Sequence, residues 1–346
     1  MRIVFVGNYG EKKAGATFYS VARKLTNGLI RNGHTVYAFS DRDVARSSSL
    51  IGTQSWGTRS ANRQLIDLCR NFRPDMIVLC FADLITNRTL MDIRAEHPMI
   101  RIAYVNLDPL FLRENPPRLR RFAQAVDASF ITTAGEGLEE FTGARSIFTF
   151  IPNPVDRSIE SLRGFERTDQ SSDLICSIVS DRGTPERAAT MRWLKQNAPD
   201  IKYDFYGLDG VPPIYGMAYF DAIGSARMGL NLNRRDDNYL YSSDRLAQYA
   251  GNGLLVFIAR QSRYDEIFGE DEFAFYESRD ELVDKLRYFK VNDEERQNVA
   301  RRGYEKYHAL FNERLVAQYI VEVTMGEPLG HDYGWPTEIF GADSNS

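Results

Sequence analysis

The segment MGLNLNRRDDNYLYSSDRLAQYAGNGLLVFI, residues 228–258, decides the fold of this chain. It predicts a short apolar strand over residues 229–233, a charged and aromatic loop over 234–243, and a helix from Asp244 to the glycines that follow. Residues 254–258 are apolar throughout, which is typical of a strand buried in a parallel sheet. A polar loop between such a strand and a helix N-terminus is where open α/β sheets bind anionic ligands.

Strand and helix signals alternate in the same way along the rest of the chain. Further strands are predicted at residues 2–6, 35–39, 76–80, 100–105, 128–132, 148–151, 174–179, 202–206 and 273–276. Strands joined this regularly by helices form parallel, doubly wound sheets. We therefore predict an α/β fold with two tandem Rossmann-like domains, each a doubly wound parallel sheet, that face each other across a cleft.

The length of 346 residues also favours two domains, because single cores rarely grow beyond about 250–300 residues. Pro152 and Pro154 stiffen a short connector, which predicts a first domain over residues 1–152 and a second over 153–323. The remaining tail, 324–346, carries aromatic residues and is expected to pack back on the first domain.

Composition narrows the class of protein. The net charge of -4 gives no general attraction to nucleic acid, so no nucleic-acid partner is expected. The 3 cysteines and 4 histidines are scattered without disulfide or metal-ligand spacing, so no metal site is predicted. No apolar run reaches the roughly 20 residues of a membrane-spanning helix. A cytoplasmic protein is expected, and peripheral association with a membrane and the oligomeric state are left open.

The segment at residues 228–258 also resembles the donor-binding segment of GT-B glycosyltransferases. The motifs SDRL at residues 243–246, QY at 248–249 and Gly253 before an apolar strand are most similar to the spore-maturation (CgeB-like) type within the group 1 superfamily of glycosyl transferases. A glutamate that binds the donor ribose usually stands where this chain has Gln248. Glutamine can also bond a diol, without the help of a charge. Gln248→Glu is therefore expected to preserve or improve nucleotide binding.

The resemblance implies donor-binding residues in the loops after the strands of the second half. The loop 180–187 is expected to place an arginine on the donor phosphates, with Arg187 the better match and Arg182 the competitor. The predicted donor set comprises Arg187, Arg182, Ser243 and Arg245 for the phosphates; Gly207, Gln248 and Asp244 for the nucleoside; and Asn233, Arg234 and Tyr241 for the sugar. The alternatives are solvated arginines, a plain turn at Gly207 and an exposed helix position at Gln248.

In the first half, the resemblance implies an acceptor side. The loop after the first strand, with Asn8, Tyr9, Gly10 and Glu11, is expected to shape it. Asp108, which follows the strand at 100–105, is the predicted catalytic carboxylate. It could act as a general base in an inverting reaction, whereas a retaining reaction needs no base there. The alternative for Asp108 is a turn or N-cap residue before Pro109.

The implied function is metal-independent glycosyl transfer, of a hexose or a related sugar, to a hydroxyl of a glycan, lipid-linked or small-molecule acceptor. The co-substrate is a nucleotide sugar, UDP- or GDP-linked, and no other cofactor is expected. Two alternatives stay open: a non-catalytic two-domain protein that binds nucleotides or sugars, and a GT-B nucleotide-sugar epimerase.

Overall fold

The computed structural model describes residues 1–48, 54–141, 145–179 and 185–341, which form two compact units. The first unit comprises Met1–Pro154 together with Glu313–Ser346, and the second comprises Val155–Asn312. Arg182, one of the predicted phosphate ligands, lies outside the described residues.

The first unit is built on a parallel sheet with the strand order β2-β1-β3-β4-β5-β6. Its strands are β1 (Arg2–Gly7), β2 (Thr35–Phe39), β3 (Met76–Cys80), β4 (Arg101–Asn106), β5 (Ala128–Ile131) and β6 (Ile147–Phe150). The connecting helices are α1 (Val21–Arg31), α2 (Asp41–Ser47), α3 (Gln54–Phe72), α4 (Asn87–Glu96) and α5 (Asn115–Ala123). Every residue of β3 is buried, as expected for a continuous apolar run at the centre of such a sheet.

The second unit repeats this architecture with the strand order β11-β10-β9-β7-β8. Its strands are β7 (Ser172–Ser177), β8 (Tyr203–Tyr206), β9 (Ala226–Asn231), β10 (Leu255–Ala259) and β11 (Ala274–Tyr276). Its helices are α6 (Pro185–Asn197), α7 (Met217–Ser225), α8 (Arg245–Gly251), α9 (Arg279–Val291) and α10 (Asp293–Leu310). The two parallel, doubly wound sheets confirm the predicted fold class.

Each strand order reverses at one point, and these switch points mark the crevices where open α/β sheets bind ligands. In the first unit the reversal lies between β1 and β3, whose last residues, Gly7 and Cys80, are paired. In the second unit it lies between β7 and β9. The residues just after these four strands are therefore the places to look for sites.

The last helix, α11 (Glu313–Met325), belongs to the first unit, which corrects the predicted second domain of residues 153–323. It packs closely on α1, because Gly28 leaves room for the α11 backbone. Arg31 Nη1 also donates to Glu313 Oε1 at 2.6 Å. The following tail stays on the same unit, where Phe340 forms an antiparallel bridge with Phe148 of β6. The amphipathic pattern of α11 predicts a helix but does not specify its partner.

Gly28→Ala is expected to lower the free energy of unfolding by about 3 kcal/mol, as overpacking at a tight interface does. The added Cβ would lie 2.1 Å from the backbone oxygen of Glu313, so α11 must shift away from α1. Urea unfolding of the full chain measures the loss. Gly33→Ala is the control, because its Cβ would meet nothing within 4 Å and only the positive φ of 85° is strained. Equal losses in the two variants would contradict this packing.

Candidate functional site

Arg245 ties together the two strand ends at the switch point of the second unit. Its Nη1 donates to the carbonyl of Ser177, the last residue of β7, at 2.5 Å. Its Nη2 donates to the carbonyl of Leu232, just after β9, at 2.5 Å, and its Nε donates to Ser243 Oγ at 3.1 Å. All these partners are neutral oxygens, so the guanidinium is held in place while its positive charge is not neutralised.

A second buried guanidinium, that of Arg187, lies near this one. Arg187 is in the first turn of α6 and only 8% exposed, and its Nε has no hydrogen-bond partner among the described residues. Burial and the neighbouring Arg245 lower the pKa of Arg187 to about 9, which still leaves it charged at neutral pH. A buried cation without a counter-ion is costly, and buried charges in proteins are normally paired. An anion bound beside Arg187 would supply a counter-charge.

The local balance of charge is positive. The exposed Arg234 also acts on Arg187 and lowers its pKa. The carboxylate that acts on Arg187 is Asp236, and the described residues contain no ion pair between the two. Burial raises the pKa of Asp236 to about 6, while Asn233 and Arg187 act in the opposite direction. Among the described residues, Arg245 and Arg234 act on Arg187, and Arg187 acts on Asp236. Closely spaced guanidinium groups of this kind suit an anionic ligand such as a diphosphate.

Asparagines at the end of β9 fix the loop that leads into α8. Asn233 Oδ1 accepts from the Ser243 backbone amide at 3.2 Å and from Asn231 Nδ2 at 3.1 Å. The hydroxyl of Ser243 donates to Asn231 Oδ1 at 2.8 Å. Asn233 and Ser243, predicted to bind the sugar and the phosphates, thus belong to one polar network with Arg245, and their side chains hold the loop in shape.

Tyr241 and Arg234 lie on the same loop, close enough to Arg187 to affect its pKa. Tyr241 is buried and Arg234 is exposed. Five predicted donor residues therefore come together around Arg187: Asn233, Arg234, Tyr241, Ser243 and Arg245.

Gln248 is buried in α8, and both ends of its amide have protein partners. Its Nε2 donates to Asp244 Oδ2 at 2.6 Å, and its Oε1 accepts from the Tyr219 hydroxyl at 2.8 Å. An exposed helix position is thereby ruled out for Gln248. Each end of the amide keeps one further hydrogen-bonding position, an N–H and an oxygen lone pair. The contact between Gln248 and Asp244 changes the expected effect of a glutamate on stability.

Gln248→Glu is expected to destabilise the protein by roughly 1–3 kcal/mol at neutral pH, because it places a second carboxylate against Asp244. The repulsion raises the pKa of the carboxylate pair in the folded state. The folded protein then binds more protons than the unfolded chain, so the lost stability returns as the pH falls toward about 5. Thermal unfolding across this pH range measures the effect. Gln248→Leu is the comparison, since it loses the bonds to Asp244 and Tyr219 without a new charge and should show no such recovery.

Gly207 follows β8, and the backbone at this position requires a glycine. Its φ is +76°, and a Cβ there would lie 2.0 Å from the backbone oxygen of Ile178. The glycine is thus needed for the close approach of the chain after β8 to the chain after β7, whether or not a nucleoside binds beside it.

In the first unit, the predicted acceptor loop, residues 8–11, forms hydrogen bonds with side chains of α1 and α2. The Tyr9 hydroxyl lies 2.5 Å from Thr26 Oγ1, and Glu11 N donates to Asp43 Oδ2 at 3.0 Å. Gly10 has a φ of 62° at the start of a short 3-10 helix. The side-chain oxygen of Asn8 is buried and has no hydrogen-bond partner among the described residues.

Asp108 lies just after β4, and both its backbone amide and its carboxylate have side-chain partners. Its backbone amide donates to Asn106 Oδ1 at 2.9 Å, and its carboxylate forms an ion pair with Arg118. Arg118 Nη1 also lies 3.7 Å from Asp83 Oδ1, and Arg42 Nη2 lies 3.1 Å from Asp83 Oδ2. Asp108 is therefore one end of a chain of alternating charges along the carboxyl ends of β2, β3 and β4.

Sequence reasoning missed three residues of these crevices: Asp83, Tyr219 and Asp236. The sequence predicts a surface position for Asp236, because its neighbours in sequence are charged. In the structure Asp236 is half-buried, and this burial depends on the fold of the loop. Tyr219 lies on α7, far from Gln248 in sequence, and no local pattern indicates their contact. Asp83 follows a predicted strand, which is the signal that could have found it.

No helix in the described ranges is long and apolar enough to cross a membrane, and no group of three potential ligand side chains there could hold a metal ion. Cys69, Cys80 and Cys176 are buried free thiols.

Comparison with known proteins gives a family match for residues 183–322 and a fold for the chain. Residues 183–322 match the family described as glycosyl transferase-like, whereas no curated protein sequence matches the chain. Sucrose-phosphate synthase from Thermosynechococcus elongatus has a TM-score of 0.58 at 10% identity, covering 93% of this chain and 98% of its own. HepE from Anabaena, in complex with UDP and glucose, has a TM-score of 0.58 at 11% identity, with 93% and 98% covered. T4 phage β-glucosyltransferase has a TM-score of 0.53 at 11% identity, with 94% and 99% covered.

At such low identity these structures establish the fold, and the family match provides the link in sequence. The matched segment begins just before α6 and includes Arg187, Arg245 and Gln248. Residues 183–322 match the glycosyl transferase-like family, and the chain as a whole has the GT-B fold of these structures.

Proposed function

We propose that the crevice between β7 and β9 binds the diphosphate of the nucleotide-sugar donor, with Arg187 as its principal ligand. The buried guanidinium of Arg187, which forms no ion pair among the described residues and whose Nε has no hydrogen-bond partner there, is the observation that carries this proposal. A diphosphate supplies the missing counter-charge and can accept two parallel hydrogen bonds from the planar guanidinium group. Arg245 adds positive charge from a fixed position, while its own hydrogen bonds hold the strand ends.

The same arrangement suits the chemistry of glycosyl transfer. When the bond between the sugar and the diphosphate breaks, negative charge develops on the leaving phosphate oxygen. Fixed positive groups in a water-poor crevice stabilise that charge without rearranging. We propose that Arg187, Arg245 and Arg234 provide this stabilisation and that the reaction is metal-independent.

The donor is proposed to be a UDP-linked hexose. The support is HepE, a protein of similar fold whose structure contains UDP and glucose. Gln248 and Asp244 are proposed to face the nucleoside, next to Gly207. Asn233 and Tyr241 are proposed to face the sugar. GDP is the second nucleotide to test as part of the donor.

Asp108 is proposed as the base that removes the proton from the acceptor hydroxyl. Its ion pair with Arg118 and the bond from Asn106 fix the carboxylate at the end of β4. A carboxylate in this role must reach the hydroxyl within hydrogen-bonding distance when the acceptor is bound. The acceptor is proposed to be a hydroxyl of a glycan, a lipid-linked glycan or a small molecule.

A thermal-shift panel of UDP, GDP, ADP and CMP tests the donor site in the full chain. We expect UDP to stabilise the protein by about 2.7 kcal/mol at a concentration 100 times its dissociation constant, because it binds only the folded state. EDTA should leave this shift unchanged. If none of these nucleotides raises the melting temperature at millimolar concentration, the donor-site assignment is wrong.

Release of UDP from UDP-glucose, followed by NMR, tests the reaction. We expect slow hydrolysis with water as the acceptor and faster release when a suitable acceptor is present. Conversion of the donor to an epimer without release would instead identify an epimerase. UDP binding with neither reaction, across a broad panel of donors and acceptors, would favour a non-catalytic binding protein.

A further inference from the structure

The switch point of the first unit carries a second crevice with a different chemistry. Gly7 of β1 pairs with Cys80 of β3, so the next residues, Asn8 and Phe81, leave the sheet side by side. Phe81 has a φ of 51°, an uncommon value for a residue other than glycine. Its ring is half-buried, and Arg118 Cζ lies 5.9 Å from the ring centre.

The polar groups around Phe81 are accessible and paired with one another. Asp83 is the central carboxylate, 3.1 Å from Arg42 Nη2 and 3.7 Å from Arg118 Nη1. The side chains of Asp83 and Asp108 are each 33% exposed, and that of Arg118 is 18% exposed. A ligand can therefore reach these carboxylates and guanidinium groups directly.

The charges of this crevice cancel, unlike those around Arg187. Arg42 and Arg118 are matched by Asp83 and Asp108 through ion pairs. The buried Asp41 lies close enough to Asp83 for the two carboxylates to interact, and burial raises the pKa of Asp41 to about 6. No excess of positive charge is left for a phosphate or a carboxylate of a ligand. An anion would meet Asp83 and Asp108 as repelling neighbours.

What this crevice offers instead is hydrogen-bond acceptors beside an aromatic face. The carboxylate of Asp83, whose side chain is 33% exposed, can accept hydrogen bonds from the hydroxyl groups of a ligand. Its Oδ1 and the Oδ1 of Asn8 are buried atoms without hydrogen-bond partners among the described residues, and Arg118 Nη1 lies 3.7 Å from Asp83 Oδ1. The Phe81 ring adds an apolar surface on which the CH groups of a sugar ring can pack.

We infer that the crevice formed by Asn8, Phe81, Asp83 and Arg118 binds the acceptor as a neutral, polyhydroxylated ligand, a sugar unit without phosphate or carboxylate groups. This inference rests on the proposed glycosyl transfer and names the class of acceptor for it. Asp83 binds hydroxyl groups of the acceptor sugar, and Phe81 stacks on its ring. An acceptor that bears a phosphate next to the reacting sugar is excluded from this crevice.

Saturation-transfer NMR on the full chain, with UDP present, tests the inference. The probes are the methyl glycosides of glucose, galactose and mannose, each compared with its 6-phosphate. We expect at least one neutral glycoside to give transfer and its phosphate to bind at least about tenfold more weakly, because like charges oppose it. Equal or tighter binding of the phosphates would overturn the inference, and so would the failure of every neutral glycoside to bind at tens of millimolar, a range chosen for weak ligands.

Two variants test whether the neutral glycoside binds in this crevice. Asp83→Asn removes the charge and should weaken the neutral glycoside roughly fivefold to tenfold, the usual effect of losing a charge-assisted hydrogen bond. Phe81→Gly removes the ring and relieves the positive φ, so it should fold normally yet lose the transfer signal. Asp92→Asn is the control, since Asp92 is an exposed partner of Arg88 on α4. Wild-type binding by both crevice variants would place the acceptor elsewhere.

UDP titration of the same variants separates this inference from the proposed function. Asp83→Asn and Phe81→Gly should bind UDP as the wild type does, because Arg187 and Arg245 belong to the second unit. If UDP binds but no neutral glycoside does, the inference fails and the donor site stands. If glycosides bind as expected and UDP does not, the donor proposal fails by itself.

Discussion

Replacing Arg187 with methionine is expected to stabilise the unliganded protein and, at the same time, to weaken UDP binding strongly. Methionine fills a similar space and removes a buried charge that has no ion-pair partner, so the free energy of unfolding should rise by about 1 kcal/mol. UDP should bind with a loss of roughly 1.5–3 kcal/mol, the usual contribution of a charge-assisted contact. Opposite changes in stability and affinity are typical of a residue kept for binding.

Urea unfolding and calorimetric titration of UDP measure the two effects of Arg187→Met. Arg192→Met is the matched control, because Arg192 lies on the same helix but is exposed and paired with Asp209 at 2.7 Å. It should change neither quantity by more than about 0.5 kcal/mol. If Arg187→Met binds UDP like the wild type, Arg187 does not contact the diphosphate. A large loss of stability would show that its guanidinium has a structural partner.

Replacing Arg245 with methionine is expected to have the larger effect on stability, with both quantities falling together. The change leaves the carbonyls of Ser177 and Leu232 and the Ser243 hydroxyl without their donor. Unsatisfied buried acceptors cost about 1–3 kcal/mol each, and the removal of a buried charge offsets part of this. We expect a net loss of roughly 2–4 kcal/mol in unfolding free energy, and UDP affinity should fall because the crevice opens.

Arg234→Met serves as the control for Arg245→Met. Arg234 is an exposed arginine of the same crevice, so its replacement should leave stability within about 0.5 kcal/mol of the wild type. It should weaken UDP binding only modestly and mainly at low salt, since the charge is exposed. Wild-type stability of Arg245→Met would mean that the bonds from Arg245 do not hold β7 and β9 together.

The fold could be predicted from sequence because its strands are short apolar runs with clear ends. The segment at residues 228–258 gave β9, α8 and β10 within a few residues of their observed bounds. The position of α11 could not be predicted, because an amphipathic helix shows which face is buried but not which helix covers it. The contact at Gly28 joins residues 285 positions apart in sequence (313 minus 28), where periodicity carries no information.

The sequence predicts where the candidate site lies, but not the state of its side chains. It indicates Arg187 by its place at a helix start after a strand, and the structure adds that Arg187 is buried and forms no ion pair among the described residues. The resemblance assigns Gln248 to the donor ribose, and the structure adds that its amide is bonded to Tyr219 and Asp244. Such partners depend on long-range packing and cannot be deduced from local spacing.

A crystal structure of the full chain with UDP is the most direct test of the donor site. We expect the diphosphate between the ends of β7 and β9, with its oxygens about 2.7–3.0 Å from the Arg187 guanidinium, the range of charge-assisted hydrogen bonds. Arg245 should keep its bonds to Ser177 and Leu232. A diphosphate bound elsewhere, with Arg187 still buried and unpaired, would contradict the central claim that this arginine is held in place for the donor.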